Sequence, residues 1–426
     1  MKNTITRLNI GQRVHDPFDQ HREGFYNLHS LYESGASWFP RNRCWGRAIM
    51  WIAHFGTWQA VCGFVLATLL LTACGGDAAR GDGILTEPLE ANTEVLADGF
   101  VNPYAIAVIN ENEYLITERV AGLYHYVDGE LTELGGIPDS EIFDSRGTIV
   151  GGVMDVSLHP DFASNGFVYL AYLDMENTMS VARFNFADRE VEDVEVIFDS
   201  DFGSIGSAFA WQDADHFFVS QGITSLEAGQ DLTHDGGTIH RLTADGSVPD
   251  DNPVFDGFDG PTSIWSYGHR VNQGLLVDGG VLYATEHGDS AGDEFNVIEG
   301  GANYGWPNIT SGRFRDGNPP AADDGLLASA IDPLVTWPTV TLAPTGLMRV
   351  NNSNFPELDG RFLTGALVAT ALVSIDVDTA ETSILIDDTG RVRDIDQLPG
   401  GDLIMAVEAP LTGPPNGQIV RLSPAG

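Results

Sequence analysis

The feature that most constrains the fold of this chain is a segment pattern that recurs six times. Each copy has a turn with Gly, Asn or Asp, then four to six aromatic or β-branched residues, then small residues, which is typical of a strand. The copies begin at residues 112, 166, 215, 280, 360 and 401, so the intervals are 54, 49, 65, 80 and 41 residues. Imperfect repeats of this length predict one four-stranded antiparallel sheet per copy. We therefore expect an all-β fold, a six-bladed β-propeller over residues 93–425, with two stacked β-sandwiches as the alternative.

The N-terminal segment has the pattern of an export signal. Residues 48–73 are almost uncharged and apolar, three arginines precede them, and they end in Leu-Thr-Ala before Cys74. A cysteine in that position resembles a bacterial lipoprotein signal, in which Cys74 is lipidated and becomes the mature N-terminus. A membrane-anchor helix is the alternative, because the apolar run is nearly long enough to span a bilayer. Both predict an extension with signal or anchor over residues 1–74, a tether over 75–92, and an exported propeller, periplasmic or attached to the outer membrane.

The rest of the chain is strongly acidic. Residues 1–74 hold 7 of the 21 basic and 4 of the 61 acidic residues, so the remainder holds 14 basic and 57 acidic residues, a net charge of −43. Such a surface repels nucleic acids and anionic membranes, so we expect no nucleic-acid partner and membrane contact only through the N-terminal lipid or anchor. The three cysteines, Cys44, Cys62 and Cys74, all precede the propeller, which excludes a disulfide or a thiolate metal site there.

Residues 285–308 read TEHGDSAGDEFNVIEGGANYGWPN and are dense in Gly, Asp and Glu. The glycines argue against a helix, because each costs backbone entropy there. Calcium prefers carboxylate oxygens and the backbone carbonyls that Gly-rich turns expose. The stretch therefore predicts a calcium site, with a solvated acidic loop as the alternative interpretation.

Several motifs resemble those of the glucose/sorbosone dehydrogenase family, over about residues 95–422. They are Leu115-Ile116-Thr117-Glu118-Arg119, Leu158-His159-Pro160-Asp161-Phe162, Arg241-Leu242 with residues 245–253, Tyr267-Gly268-His269-Arg270, Asn303-Tyr304-Gly305-Trp306-Pro307, Trp337-Pro338-Thr339 and Arg391-Val392-Arg393-Asp394. The resemblance implies a six-bladed propeller that holds pyrroloquinoline quinone (PQQ) over a calcium ion at its mouth. It implies oxidation of the anomeric hydroxyl of an aldose sugar to a lactone, with hydride transfer to PQQ and an external electron acceptor as a further partner.

The resemblance also implies roles for five side chains. Arg270 matches the catalytic arginine that polarises the quinone oxygen, and a fixed guanidinium suits developing oxyanion charge. Arg391 and Arg393 match the pair that grips the PQQ carboxylates, while Trp337 and Thr339 match residues that line the sugar and cofactor pocket. Simpler interpretations exist for each: arginines bridging blades through protein carboxylates, and a tryptophan in the core.

Two calcium sites follow from the same resemblance. The carbonyls of Gly288 and Asp289 would hold the calcium that bridges to PQQ, although the family usually has proline where this chain has Asp289. Glu294 and the carbonyl of Tyr304 would hold a second, structural calcium ion.

The chain also departs from the family pattern. The family's general base is a histidine in a loop that corresponds to residues 201–209, which contain none. The PQQ-contacting lysine, a glutamine and an asparagine correspond to Val368, Val150 and Val271. Base catalysis needs a proton acceptor with a pKa near the working pH, and serine alone does not supply one.

Two functions of different classes therefore stay open. The first is a PQQ-dependent aldose sugar dehydrogenase with a remodelled pocket, for which His269 and His287 are better substitute bases than His159, which lies in a structural turn. The second is a non-catalytic, calcium-stabilised propeller that binds a sugar or a protein. An open, positively charged cavity around the three arginines favours the first function, and pairing of each arginine with an acidic residue favours the second.

Overall fold

The computed structural model describes residues 84–145, 148–223, 228–315, 324–408 and 416–426. The predicted signal or anchor segment and Cys74 lie outside these residues, so lipidation stays a prediction. Within the described ranges, no helix is both long and apolar enough to cross a membrane.

The described chain forms six antiparallel sheets arranged as the blades of a propeller, which confirms the predicted fold class. Blade one contains β3 (Pro103–Asn110), β4 (Glu113–Glu118), β5 (Gly122–Val127) and β6 (Glu130–Leu134); blade two contains β9 (Val153–Leu158), β10 (Phe167–Leu173), β11 (Met179–Asn185) and β12 (Glu192–Asp199); blade three contains β13 (Phe209–Trp211), β14 (His216–Gln221), β15 (Thr238–Thr243) and β16 (Ile264–Tyr267). Blade four contains β17 (Asn272–Asp278), β18 (Val281–Glu286), β19 (Asp293–Ile298) and β20 (Val335–Trp337); blade five contains β21 (Pro344–Arg349), β22 (Phe362–Ala366), β23 (Ala371–Ile375) and β24 (Thr382–Ile386); blade six contains β25 (Arg391–Gln397), β26 (Leu403–Glu408), β27 (Gly417–Pro424) and β2 (Ala91–Phe100). Outside the blades lie the hairpin β7 (Ile142–Ser145) and β8 (Thr148–Gly151), the short helices α1 (Phe162–Asn165) and α2 (Asp324–Leu327), and a 3₁₀ turn, Pro356–Leu358.

Each recurring segment of the sequence becomes the second strand of one blade: β4, β10, β14, β18, β22 and β26. A second strand has a partner strand on both edges, and its blade packs against neighbouring blades on both faces. All six residues of β4 are buried for this reason. Outermost strands such as β12 are largely exposed and carry no such apolar run.

The N-terminal part of the described chain closes the propeller. Strand β2 pairs antiparallel with β27, so the first long strand completes the last blade. Before it, β1 (Leu85–Thr86) pairs parallel with β24 as a fifth strand of blade five. Ile84 is 1% exposed and packs in the core of that blade. The second half of the segment expected to be a tether is therefore bound to the propeller.

Hydrogen bonds between neighbouring blades fix the innermost strands. Asp394 of β25 accepts the backbone N–H of Ile106 in β3 at 2.8 Å, and Asp155 of β9 accepts that of Phe209 in β13 at 2.6 Å. A Cβ atom on Gly346 of β21 would lie 2.0 Å from a carboxylate oxygen of Asp394, so only glycine allows this approach. These contacts set the spacing of the strands that carry the site.

A cavity of ≈ 280 Å³ lies among the innermost strands. Its wall includes the side chains of Tyr104, Gln273 and Arg393, together with the carboxylates of Asp155 and Asp394. Burial raises the pKa of Asp155 to about 7, because the charged form is poorly solvated there.

Candidate functional site

The mouth of the propeller is the face at which the innermost strands begin and the second strands end. Antiparallel pairing places Arg391, the first residue of β25, opposite Glu408, the last residue of β26. In the same way Asn272 at the start of β17 lies opposite Glu286 at the end of β18. Polar residues from several blades therefore meet at this face.

Two of the predicted arginines share one carboxylate. Arg393 donates two hydrogen bonds to Oε2 of Glu408, one from Nη2 and one from Nε at 3.1 Å. Its Nη1 donates to Gln273 at 2.8 Å. Arg391 donates to the carbonyl of Leu367 at 3.1 Å, and its Nε lies 3.4 Å from Oε1 of Glu408 without a hydrogen-bond alignment. Burial raises the pKa of Glu408, but the positive charges of the two arginines outweigh this effect and lower the pKa on balance. Glu408 is therefore their ionised counter-ion.

Arg270 has a different acidic partner. Its Nη2 donates to Asp289 at 3.0 Å, its Nη1 donates to the carbonyl of His287 at 3.3 Å, and its guanidinium lies 5.3 Å from the centroid of the Trp306 ring. Arg315 also donates to Asp289, from its backbone N–H to the carboxylate at 2.7 Å. Asp289, which stands where the family usually has proline, is thus the counter-ion of Arg270.

The structure brings the three arginines together around His287. The pKa of His287 is lowered to about 3. Burial is the largest cause, and the positive charges of Arg270, Arg393 and Arg391 add to it. Its Nε2–H donates to the carbonyl of Pro344 at 2.7 Å, which leaves Nδ1 as the acceptor of the neutral ring. A group with this pKa accepts protons poorly at neutral pH.

A fourth arginine lies beside this group, and the sequence reasoning assigned it no role. Arg119 is 2% exposed and donates to the carbonyls of Gly151 and Ile205 at 3.3 and 3.0 Å. Its guanidinium lies 4.4 Å from the ring centroid of Tyr104, and that of Arg393 lies 5.3 Å from the same centroid. Burial, followed by repulsion from Arg393, lowers the pKa of Arg119 to about 10.

The residues expected to bind the bridging calcium lie beside guanidinium groups. The carbonyl of Asp289 accepts a hydrogen bond from Arg315 Nε at 3.2 Å, and its carboxylate binds Arg270. A Cβ atom on Gly288 would lie 2.1 Å from the carbonyl oxygen of Ala291, so the loop packs tightly against itself. A cation at the carbonyls of Gly288 and Asp289 would approach two guanidinium groups, which like-charge repulsion opposes.

The second expected calcium site contains two carboxylates. Glu286, Glu294 and Tyr304 line a cavity of ≈ 10 Å³ together with Gly288 and Arg270, and this volume is about the room that one water molecule needs. Burial and the neighbouring Glu286 raise the pKa of Glu294 to about 8. Oδ1 of Asn296 is buried without a hydrogen-bond partner among the described residues. Neither this site nor any other part of the described chain contains a cluster of three or more His, Cys, Asp or Glu suited to a metal ion.

The two other histidines considered as bases have structural partners. His269 is 0% exposed; its Nδ1 lies 2.9 Å from Glu286 and its Nε2 lies 2.9 Å from the hydroxyl of Ser266. Nδ1 of His159 accepts the backbone N–H of Asp161 at 2.9 Å, in the turn that leads into α1. Both rings are therefore held by structural hydrogen bonds.

The remaining predicted positions differ in their surroundings. Trp337 is 1% exposed and belongs to the hydrophobic core of blades four and five, so it packs as a core tryptophan. Thr339 lies exposed in the loop between β20 and β21. In the loop over residues 201–209, the hydroxyl of Ser204 is buried and donates to the carbonyl of Gly206 at 2.7 Å. The loop contains no histidine, and its one carboxylate, that of Asp201, accepts the backbone N–H of Asp235 at 2.9 Å.

The buried acidic partners have a signal in the sequence. When the six recurring segments are aligned, a polar residue closes four of the second strands: Glu118, Gln221, Glu286 and Glu408. Each side chain is buried. Glu118, for example, accepts the backbone N–H groups of Val101 and Asn102 at 2.8 and 2.7 Å.

The fold and the site define a class: six-bladed propellers with arginines at the mouth and a Gly-rich acidic loop beside them. The Glucose / Sorbosone dehydrogenase family model matches residues 100–421, so the chain belongs to this family, as its motifs suggested. It is 32% identical over 400 residues to an uncharacterised protein of Synechocystis, covering 85% of this chain and 94% of that protein. It is 30% identical over 359 residues to the aldose sugar dehydrogenase YliI of Escherichia coli, covering 79% and 94%.

Solved structures show the same relationship. The apo-form of the soluble aldose sugar dehydrogenase of Escherichia coli matches with a TM-score of 0.70 and 28% identity over 79% of this chain and 100% of that chain. The PQQ-bound aldose sugar dehydrogenase of Streptomyces coelicolor matches with a TM-score of 0.62 and 23% identity over 79% and 99%. At that identity, the second likeness concerns the fold alone.

Proposed function

We propose that this protein is a carbohydrate-binding member of the family that does not oxidise its ligand. The observation that carries the proposal is the set of protein carboxylates at the arginines: Glu408 at Arg391 and Arg393, and Asp289 at Arg270. The quinoprotein interpretation needs these guanidinium groups to face a cofactor that carries several carboxylates. Protein carboxylates that already hold them disfavour such an anion, because like charges repel strongly in a desolvated site.

The uncharged positions of the mouth support the same proposal. Val150, Val271 and Val368 stand where the family has polar contacts to PQQ, and the first two are buried while Val368 is exposed. The loop over residues 201–209 contains no histidine, and the pKa of His287 is too low for the role of general base. These features disfavour PQQ as the ligand of the mouth.

We propose that one calcium ion stabilises the propeller, at the carboxylate of Glu294 and the carbonyl of Tyr304. A divalent cation would relieve the repulsion between the buried carboxylates of Glu294 and Glu286. Calcium suits the mixture of carboxylate and carbonyl oxygens. We do not propose the bridging ion at Gly288 and Asp289, where guanidinium groups already bind.

A carbohydrate is the ligand class that relatives favour, since YliI is named an aldose sugar dehydrogenase. The cavity below the mouth supplies hydrogen-bonding groups for hydroxyls. Gln273, Ser207 and Tyr104 line this ≈ 280 Å³ cavity together with the charged residues Asp155, Asp394 and Arg393.

The second candidate function is the PQQ-dependent oxidation of an aldose sugar to a lactone, with an external electron acceptor. One observation favours it: the Nε atoms of Arg270 and Arg391 are buried without hydrogen-bond partners among the described residues. Each guanidinium therefore keeps one unused N–H donor, which an anionic ligand could accept.

A paired assay separates the two functions. Aldoses are titrated calorimetrically into the full chain, and sugar-dependent dye reduction is measured on the same sample with PQQ and calcium, beside the Escherichia coli aldose sugar dehydrogenase. We expect heat of sugar binding and no dye reduction above the protein-free rate. Sugar-dependent dye reduction would establish the second function instead, and absence of sugar binding would remove the first.

We also propose that the protein is exported and anchored through lipid on Cys74. Replacing Cys74 with Ser should release the protein from the membrane fraction. Continued membrane association of the Ser variant would favour an anchor helix.

A further inference from the structure

We propose that the base of blade five faces the membrane that carries the N-terminal anchor, and that the mouth opens away from this membrane. The base is the face opposite the mouth, where the innermost strands end and the second strands begin. The inference rests on the proposed anchor near Cys74 and goes beyond the proposed binding of a carbohydrate.

The first step concerns the place at which the described chain enters the propeller. Strand β1 runs parallel to β24, with Leu85 opposite Ser383 near the beginning of β24. That beginning lies at the base, because Thr382 pairs with Ile375 and Ile375 pairs with Phe362, the first residue of the second strand β22. The chain therefore reaches blade five from the side of the base.

The second step shows that this entry point is fixed by side chains as well as by strand pairing. Ile84 is 1% exposed and packs in the core of blade five with Phe362 and Ile375. The carboxylate of Glu87 accepts a hydrogen bond from Nη1 of Arg361 at 2.9 Å, and Arg361 directly precedes β22 at the base. These contacts hold the first described residues at the base edge of blade five.

The third step concerns the length of chain between the anchor and the propeller. Ten residues, 75–84, follow Cys74, and a chain of that length spans at most about 36 Å even when it is fully extended. An anchor in the bilayer therefore keeps the base edge of blade five close to the lipid. Because anionic lipids repel the acidic surface of the propeller, the other faces are not drawn toward the bilayer. The mouth then takes its ligand from the surrounding solution.

The test places a fluorescent thiol label at either end of blade five in the full chain. The chain is anchored in vesicles of phosphatidylcholine and phosphatidylglycerol that carry a quencher on their headgroups. Val368→Cys carries the label at the mouth, where Val368 is 56% exposed, and Ala380→Cys carries it in the exposed β23–β24 hairpin at the base. We expect loss of most of the fluorescence in Ala380→Cys and of little in Val368→Cys. Equal quenching of the two labels, or stronger quenching at the mouth, would overturn the inference.

Failure of the anchor is recognised separately. Processing at Cys74 would remove Cys44 and Cys62, and the lipid would occupy the Cys74 thiol, so the unmutated chain should take no label. Label in the unmutated chain would overturn lipidation alone, because an anchor helix precedes the same tether and the difference between the two variants still measures the orientation. A chain that does not associate with the vesicles would overturn both the anchor and the inference.

A pair of variants tests the entry point itself. Ile84→Asn places a polar side chain in the core of blade five and should release β1, which lengthens the tether and reduces the difference in quenching between the two labels. Leu85→Asn, at a neighbouring side chain that is 39% exposed, is the matched control and should keep the difference. A difference that stays unchanged in Ile84→Asn would contradict the role of β1 in setting the orientation.

Discussion

Glu408 binds Arg393 through two nitrogen atoms of one guanidinium, and both side chains are almost fully buried. This pair joins the end of β26 to the third residue of β25, so it holds the two innermost strands of blade six together at the mouth. We propose that this carboxylate takes the place of an anionic cofactor. The account therefore predicts consequences for stability as well as for binding.

Removing the carboxylate should destabilise the fold strongly. Glu408→Gln leaves the buried Arg393 and the partly buried Arg391 without their counter-ion, and loss of one partner of a buried ion pair costs about 3–5 kcal/mol. Glu195→Gln is the matched control, because Glu195 is 62% exposed in its pair with Arg183 and an exposed pair contributes about 0–1 kcal/mol. Urea denaturation measures the free energy of unfolding of both variants. Equal losses in the two variants would contradict the role of Glu408.

The contact between blades five and six makes a second prediction. Gly346→Ala places a Cβ atom 2.0 Å from a carboxylate oxygen of Asp394, so we expect a loss of about 1–3 kcal/mol from overpacking. Gly260→Ala is the control, because no atom lies within 4 Å of the added Cβ. If thermal denaturation shows the two variants to be equally stable, the inner strands are not packed as described.

The carboxylates of the central cavity predict a pH dependence of stability. The pKa of Asp155 is about 7 in the folded chain and about 3.9 in unfolded chains, so the folded state binds the extra proton between these values. This extra proton stabilises the folded state fully below about pH 4, and the stabilisation is lost as the pH rises to about 7. Asp155→Asn should therefore flatten the fall in stability over this range. Asp394 and Asp396, whose pKa values are also raised by burial, leave a residual slope. An unchanged slope in the variant would refute the assignment.

Calcium should stabilise the protein through Glu294. The ion needs the ionised carboxylate, and the pKa of Glu294 is about 8 without it, so the calcium-induced rise in Tm should grow with pH up to about 8 and then level off. At a calcium concentration about a hundred times the Kd, the gain is about 2.7 kcal/mol. Glu294→Gln should abolish it, whereas Glu299→Gln, at an exposed residue of the next loop, should not. A calcium effect that persists in Glu294→Gln would place the ion elsewhere.

The sequence predicted the six blades because the second strand of each blade is largely buried and is therefore mostly apolar. Strands such as β4 and β10 show this apolar pattern in their own sequence. The outermost strands lack it, because β12 is mostly exposed and β1 is only two residues long. For that reason the docking of β1 on blade five, inside the expected tether, was not foreseen.

The candidate site was only partly predictable for a related reason. Motifs located Arg270, Arg391 and Arg393 one by one, but ion pairing depends on which strand end lies opposite each residue. Arg391 and Glu408 are 17 residues apart in the sequence and become direct partners through strand pairing. Arg270 and Asp289 come together through the loops that follow β16 and β18. Charge pairing across strands therefore needed the fold.

The central claim is that protein carboxylates have taken the place of an anionic cofactor at the mouth. Calorimetric titration of PQQ into the calcium-loaded full chain tests it most directly, on a sample already shown to bind sugar. The account predicts no binding heat, even with PQQ in large excess over the protein. Tight, calcium-dependent binding that disappears in the Arg391→Ala, Arg393→Ala double variant would contradict the claim and establish the protein as a PQQ-binding quinoprotein.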